Sequence, residues 1–283
     1  MSPISRIWLV SIVTTVLAGC AGSAAEDGPV SAASSALITE NALVPNALVP
    51  NALVPNALVP NALVPNALAP GALAASARAS LLDPGLAGDL SRMHLKYTVG
   101  CALSPGQSFS FSWIDSSSAV HNETYVGLLG LAPYWIAGPL DSDRQQMISA
   151  CLATRTNYYG IPVMISVRGP GLAQSWPDVT ETTTYAKEEG AFWGNIYTST
   201  PALYACHQAA DDANSRALYR DCAAGHQNPG GTISPCGIIR LVGPCDQHCL
   251  TINNPGFYHV YCWSDQNNVV ATATQDALTV YLP

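Results

Sequence analysis

The chain has 283 residues and a formal net charge of −8, with 11% of residues charged against roughly 25% in ordinary soluble proteins. Its basic residues stand singly, as at Arg92, Lys96, Arg144, Arg155 and Arg168, and form no run or stripe. That excludes a nucleic-acid partner held by phosphate neutralisation and docking on anionic lipid head groups through a polybasic patch.

The first predicted element is an export signal. Arg6 is positive, no acid precedes Glu26, and Ile7 to Leu17 is apolar except for Ser11, Thr14 and Thr15. A run of about eleven residues suits a signal-peptide core and is short for a bilayer span. It ends Leu17-Ala18-Gly19-Cys20, which resembles the lipobox of bacterial lipoproteins. The resemblance implies that residues 1–19 are cleaved and that Cys20 accepts lipid. It also implies outer-membrane sorting, because Ala21 stands where a retaining Asp would be. Several acyl chains at one cysteine anchor a protein stably, so the bilayer is the first expected partner. The alternative is an ordinary signal peptide whose cysteine joins a disulfide. No later segment offers 18 consecutive apolar residues.

Residues 20–40 read as a flexible linker, rich in Ala, Ser and Gly and too poor in large apolar side chains to offset ordering entropy. Residues 41–75 are repetitive. Asn-Ala-Leu-Val-Pro occurs five times from Asn41 to Pro65, followed by Asn66-Ala67-Leu68-Ala69-Pro70 and a decayed seventh unit, Gly71 to Ala74. A proline at every fifth position forbids a continuous helix, at about 3 kcal/mol per interior proline, and removes ladder donors from a strand. An extended or disordered tether is the expectation. A pentapeptide-repeat solenoid is the alternative, but its small residue would stand where Asn is found, and six units supply few coils. The repeated Leu and Val are apolar enough to dock on a surface.

From Leu81 to Pro283 the composition predicts a globular domain. Asp83-Pro84 starts a helix, with Leu86, Leu90, Met93, Tyr97 and Cys101 at helical spacing. Gln107 to Trp113 alternates, with Phe109, Phe111 and Trp113 on one face, and predicts a half-buried strand paired to Ala119–Val126 across Asp115–Ser118. A second helix is predicted from Asp141 to about Asn157, capped by Asp141 or Ser142. Ile161–Val167, Ala202–Cys206, Gly237–Val242, Phe257–Trp263 and Val269–Leu282 are candidate strands, and Ala213–Cys222 a short third helix. The fold class is therefore α+β: a single disulfide-stapled, strand-rich domain with two or three helices behind a disordered or extended tether.

Nine cysteines fit this scheme. With Cys20 assigned to lipid, the remaining eight (Cys101, Cys151, Cys206, Cys222, Cys236, Cys245, Cys249 and Cys262) are disulfide candidates in an oxidising compartment. Eight cysteines allow 105 connectivities. Cys101–Cys151 is suggested by their places on buried helix faces, and Cys206–Cys222 and Cys249–Cys262 are further suggestions. Lys96 to Leu103, Leu131 to Trp135, Ser149 to Ala153 and Asn157 to Val163 together resemble an uncharacterised family of bacterial lipoproteins, which carry Asn-x-Leu-x-Pro repeats ahead of a cysteine-containing domain. The resemblance implies this architecture and carries no catalytic residues with it.

Chemical motifs are sparse. Cys236, Cys245, His248, Cys249 and Cys262 would suggest zinc in a cytosolic chain, whereas behind a signal peptide disulfides are the favoured assignment, with no metal and no cofactor expected. His121 and Glu123, two apart on one strand face, are the catalytic candidates by type. Cys206-His207 is adjacent only in sequence. Asp178, Glu123, Glu181, Glu188 and Glu189 are carboxylates of the kind glycosidases use. No Gly-x-Ser-x-Gly elbow, His-Glu-x-x-His or phosphate loop occurs. Trp176-Pro177, Phe192-Trp193-Gly194 and Asn253 to Phe257 put aromatics beside turn residues, as a platform for a glycan or protein ligand or as core. The expectation is a surface or envelope binding module rather than an enzyme. An exported hydrolase acting on wall or glycan polymer and a structural envelope component are the alternatives.

Overall fold

The computed structural model of the protein describes residues 36–37, 43, 66–172, 177–264 and 275–283. The expected signal segment, Cys20 and most of the linker and repeat lie outside the described residues. Strand β1 (Ala36–Leu37) is an edge of the main sheet.

Helix formation begins once the repeat's last proline has passed. Helix α1 (Ala75–Leu82) buries Ala77 and Leu81. Asp83 then turns extended, as the residue before a proline must, and its carboxylate accepts the Gly85 N–H at 2.7 Å. Helix α2 (Leu86–Ala102) follows in the expected place, but its buried face differs from the expected one: Leu86 is 67% exposed. Burial wraps round the helix from Ser91 onward because α2 packs against α1 on one side and a later helix on another.

The expected hairpin is present as β2 (Ser108–Ile114) and β3 (Val120–Val126), in continuous register from Ser108↔Val126 to Ile114↔Val120. Its turn is built by Asp115, whose carboxylate accepts the N–H of Ser117 at 2.8 Å and of Ala119 at 2.9 Å. A 3-10 turn (Pro133–Ile136) leads to helix α3 (Ser142–Arg155), which Asp141 caps by accepting the Arg144 N–H at 2.8 Å. Next come β4 (Ile165–Arg168), α4 (Val179–Thr184), β5 (Lys187–Asn195), β6 (Ala202–His207), α5 (Asp212–Ala217), β7 (His226–Gln227), β8 (Ile233–Ser234) and β9 (Ile239–Pro244). The last elements are α6 (Cys245–His248), β10 (Tyr261–Cys262), β11 (Gln275–Asp276) and β12 (Leu278–Leu282). Pairing in β4 begins only at Ile165, Phe257–Trp263 contributes two strand residues, and the third helix stops at Ala217. Of the Val269–Leu282 candidate, 269–274 lie outside the described residues.

The main sheet has the order β1-β4-β12-β5-β6-β9, antiparallel throughout except for β6 and β9. The C-terminal strand thus runs through its centre, beside β5, and α3 covers it. Strand β5 is absent from the sequence expectations because it does not alternate: from Glu189 to Asn195 every residue is buried. Two of its glycines carry the packing, since a Cβ on Gly190 or Gly194 would stand 2.0 Å from the Cys206 carbonyl oxygen or 2.3 Å from that of Ala202.

The described repeat residues join this core rather than standing outside it. Leu43 is fully buried, donates its N–H to the Arg155 carbonyl at 3.2 Å and accepts from Asn157 N–H at 3.1 Å. Leu68 is buried, and its N–H meets the Trp135 carbonyl at 2.7 Å while the Trp135 indole donates to the Asn66 carbonyl at 3.1 Å. The expected domain start at Leu81 therefore moves back, because an apolar leucine between polar or small neighbours is better buried than solvated.

Four disulfides close the described chain: Cys101–Cys151, Cys206–Cys245, Cys222–Cys236 and Cys249–Cys262. The first joins α2 to α3 as expected, and the last is also an expected pair. Cys206–Cys222 is not formed. The parallel register of β6 and β9 places His207 beside Pro244, so the next residue, Cys245, reaches Cys206, and Cys222 is left to close the β7–β8 hairpin with Cys236. Among the described residues no helix is long and apolar enough to cross a membrane.

Candidate functional site

A candidate binding surface gathers on two turns, one after α3 and one after α5. Asn157 shapes the first: its carboxamide oxygen accepts the Tyr159 N–H at 2.9 Å and its amide donates to the Ile161 carbonyl at 2.8 Å. This turn presents Tyr158 and Tyr159 on the surface. The second is a helix C-terminus of the Schellman type, with Arg220 N–H donating to the Ser215 carbonyl at 2.8 Å and Tyr219 N–H to that of Arg216 at 3.1 Å. Its left-handed position, which glycine ordinarily fills, is taken by Tyr219 at φ +56°. A tyrosine there costs about 1 kcal/mol, yet its side chain is 58% exposed and gains little burial in return.

Arg220 locks the two turns together from below. Fully buried, it donates to the Thr156 carbonyl at 2.7 Å, to the Thr154 carbonyl, and through Nε to Glu189 at 2.9 Å. The carbonyls at the end of α3 are thereby satisfied, and the segment holding Tyr219 is tied to the one holding Tyr158 and Tyr159.

Between the turns lies an acid–imidazole pair. Asp221 is buried, and one of its oxygens stands 3.2 Å from His226 Nδ1, while the other is buried without a hydrogen-bond partner among the described residues. The Tyr159 hydroxyl is also 3.2 Å from His226 Nδ1. Tyr158 stacks on the imidazole, ring centres 3.9 Å apart at 12°, and Tyr159 stands edge-on to Tyr158 and Tyr219 at 5.5 and 5.3 Å. Burial and then the charge of Asp221 raise the Tyr159 phenol above its ordinary pKa, so it remains a neutral donor. The result is a patch of aromatic faces with hydroxyl and imidazole groups at hand, suited to stacking on a neutral polar ligand.

The sequence candidates are placed elsewhere. His121 and Glu123 share the helix-facing side of the hairpin, but each meets Trp113: His121 stacks on the indole at 4.4 Å, and Glu123 accepts its N–H at 3.2 Å. The His121 ring bonds Asp115 at 2.8 Å, which, with Ser117, holds that carboxyl well below the usual carboxylate range. The Arg92 guanidinium covers Trp113 at 3.6 Å. Asp178 caps α4, Glu181 accepts from Ser166 at 2.6 Å, and Glu188 holds His259 at 3.0 Å. Of the flagged aromatics, Phe192 and Trp193 are core, Trp176 lies outside the described residues, and Phe257 is half-exposed at φ +52°. An apolar groove of about 230 Å³ beside Leu73, Leu81, Phe109 and Phe111 is smaller than the usual ligand pocket of roughly 300–1,000 Å³.

Sequence reasoning missed the Tyr158–Tyr159–Tyr219–His226 patch. The one local signal was the run Ala217-Leu218-Tyr219-Arg220 closing a helix with no glycine. No family model, curated protein or solved structure matches the chain.

Proposed function

We propose that the chain is an exported lipoprotein, anchored through a lipidated Cys20 and sorted to the outer membrane, whose domain binds a neutral glycan on the Tyr158–Tyr159–Tyr219 patch. The observation that carries the binding reading is Tyr219, a strained and exposed aromatic where glycine would be the stable choice. Residues that cost stability without gaining burial concentrate where a ligand is met. The lipobox-like Leu17-Ala18-Gly19-Cys20 supports the anchor, and the resemblance to repeat-bearing lipoproteins supports the overall plan. The tether is the linker ahead of β1, since Ala36–Leu37 and Leu43 already join the domain and the last repeat unit is moored to Trp135.

The test has two arms. Palmitate labelling of the expressed chain is expected to be lost in Cys20→Ser, with the protein moving from the membrane to the soluble fraction. A glycan array probed with the wild-type chain and with Tyr219→Ala is expected to give hits that the variant loses. Labelling that survives Cys20→Ser sinks the anchor, and hits indifferent to Tyr219 sink the binding site.

A second reading, an exported hydrolase, draws on the Asp221–His226 pair. With Nδ1 donating its proton to Asp221, and the Tyr159 hydroxyl beside it not donating to that nitrogen, Nε2 across the ring is the nitrogen available as a general base. Polysaccharide cleavage that disappears in His226→Gln would favour it.

A further inference from the structure

We propose that Cys206, Cys245, Cys249 and Cys262 form a tetrathiolate zinc site in the reduced chain, and that the Cys206–Cys245 and Cys249–Cys262 disulfides are its oxidised form. The two disulfides meet at one point. Cys206 Sγ lies 3.4 Å from Cys249 Sγ, and the sulfurs of Cys206, Cys249 and Cys262 are all within 4.8 Å of one another. All four cysteines are buried, in a cluster with Ala191, Trp193 and Ala277. Zinc–sulfur bonds of about 2.3 Å place the corners of a tetrathiolate about 3.8 Å apart. The sulfurs of Cys206, Cys249 and Cys262 stand near that spacing, and Cys245, beside Glu188 and His259, turns in as the fourth once its bond to Cys206 is cut.

The backbone favours that convergence. Cys206 sits near the end of β6, Cys245 opens α6, Cys249 follows it with its N–H on the Cys245 carbonyl at 2.8 Å, and Cys262 closes β10 opposite Cys249. The ligand set differs from the one the sequence suggests: Cys236 is drawn to Cys222, and Cys206 takes its place. His248 turns Nδ1 to the Trp263 carbonyl at 3.1 Å. Glu188 and His259 lie within 4.8 Å of Cys245 Sγ, where they supply hydrogen-bonding groups next to a ligand.

The chemistry balances with a dithiol as reductant. Two dithiol molecules each become a cyclic disulfide, each passing two electrons and two protons to one protein disulfide, and four thiols result. One Zn²⁺ then displaces the four thiol protons to buffer. A disulfide oxidant reverses the sequence, removing two electrons for each bond closed and releasing the ion.

The experiment uses the whole chain, reduced anaerobically with a dithiol, desalted, given excess Zn²⁺ and desalted again. The expected result is one additional zinc per chain, four thiols shielded from alkylation, and the near-ultraviolet circular dichroism of a packed domain. Cys206→Ser is expected to weaken retention more than about 100-fold, exceeding the usual loss from an outer-shell change. The paired control Cys222→Ser with Cys236→Ser leaves it unchanged. No retained zinc overturns the proposal. So does zinc that Cys206→Ser leaves in place, or that the control removes as effectively, because an unfolded cysteine-rich chain would behave in that way.

Discussion

Arg220→Met tests the reasoning about how the patch is held. The substitution keeps most of the side-chain volume and removes three interactions at once: the Glu189 pair at 2.9 Å, the Thr156 carbonyl at 2.7 Å and the Thr154 carbonyl. Breaking a buried pair by removing one partner costs about 3–5 kcal/mol, because the other is left buried and uncompensated. Two freed carbonyls add to this, while protonation of Glu189 limits it, so a loss of about 4 kcal/mol is expected. Against a typical domain stability of about 5–15 kcal/mol, that is a severe loss. Burial already pushes the Glu189 carboxyl up against the opposing pull of Arg220. Without Arg220 it rises further. An acid whose folded pKa is raised contributes stability below its unfolded value of about 4.3 that is lost as pH rises, so the penalty grows from pH 5 to pH 8. Urea unfolding with disulfides intact gives the numbers, and the double variant with Glu189→Leu should lose about 2 kcal/mol less than the sum of the singles. A single-variant loss below about 1 kcal/mol, the worth of a surface pair, would refute the reasoning.

Other perturbations separate the remaining elements. Replacing Cys101 and Cys151 by Ala should cost about 4 kcal/mol and replacing Cys222 and Cys236 about 3 kcal/mol by loop entropy, for spans of 50 and 14 residues, and equal losses in urea unfolding would count against that account. Asp115, whose folded pKa is depressed, stabilises the hairpin turn above its unfolded value of about 3.9 and loses that contribution as pH falls below it. Asp115→Asn should therefore flatten the fall in stability between about pH 4 and pH 2, and an unchanged acid profile would contradict the turn's role. Leu68→Ala should cost about 2–4 kcal/mol if the last repeat unit is core, and under about 0.5 kcal/mol if it is merely tether.

The parts of this fold legible in the sequence are those with local physics. Asp141 caps α3 by the side-chain chemistry that marks it in the sequence, and alternation with a four-residue turn defines the β2–β3 hairpin. Cys101–Cys151 was readable because two amphipathic helices each carried a cysteine on the buried face. What stayed hidden depends on distant partners. Strand β5 is buried on both faces and broken by two glycines, so neither alternation nor composition marks it. Cys206 finds Cys245 only through the parallel β6–β9 register, which no local pattern encodes. The patch is assembled from turns sixty residues apart, joined by Arg220, whereas His121 and Glu123 stood out by spacing and turned out to be spoken for by Asp115 and Trp113.

The most direct test of the binding account is calorimetric titration of an oligosaccharide hit into the wild-type chain and into Tyr219→Gly, with the stability of both measured in urea. Glycine suits φ +56°, and the strain it removes roughly offsets its unfolded-state entropy, so stability should stay within about 1 kcal/mol. The account predicts that affinity nevertheless falls at least about tenfold, a stacked aromatic being worth about 0.5–1.5 kcal/mol beyond its buried area. Affinity left unchanged in a folded Tyr219→Gly protein would contradict it.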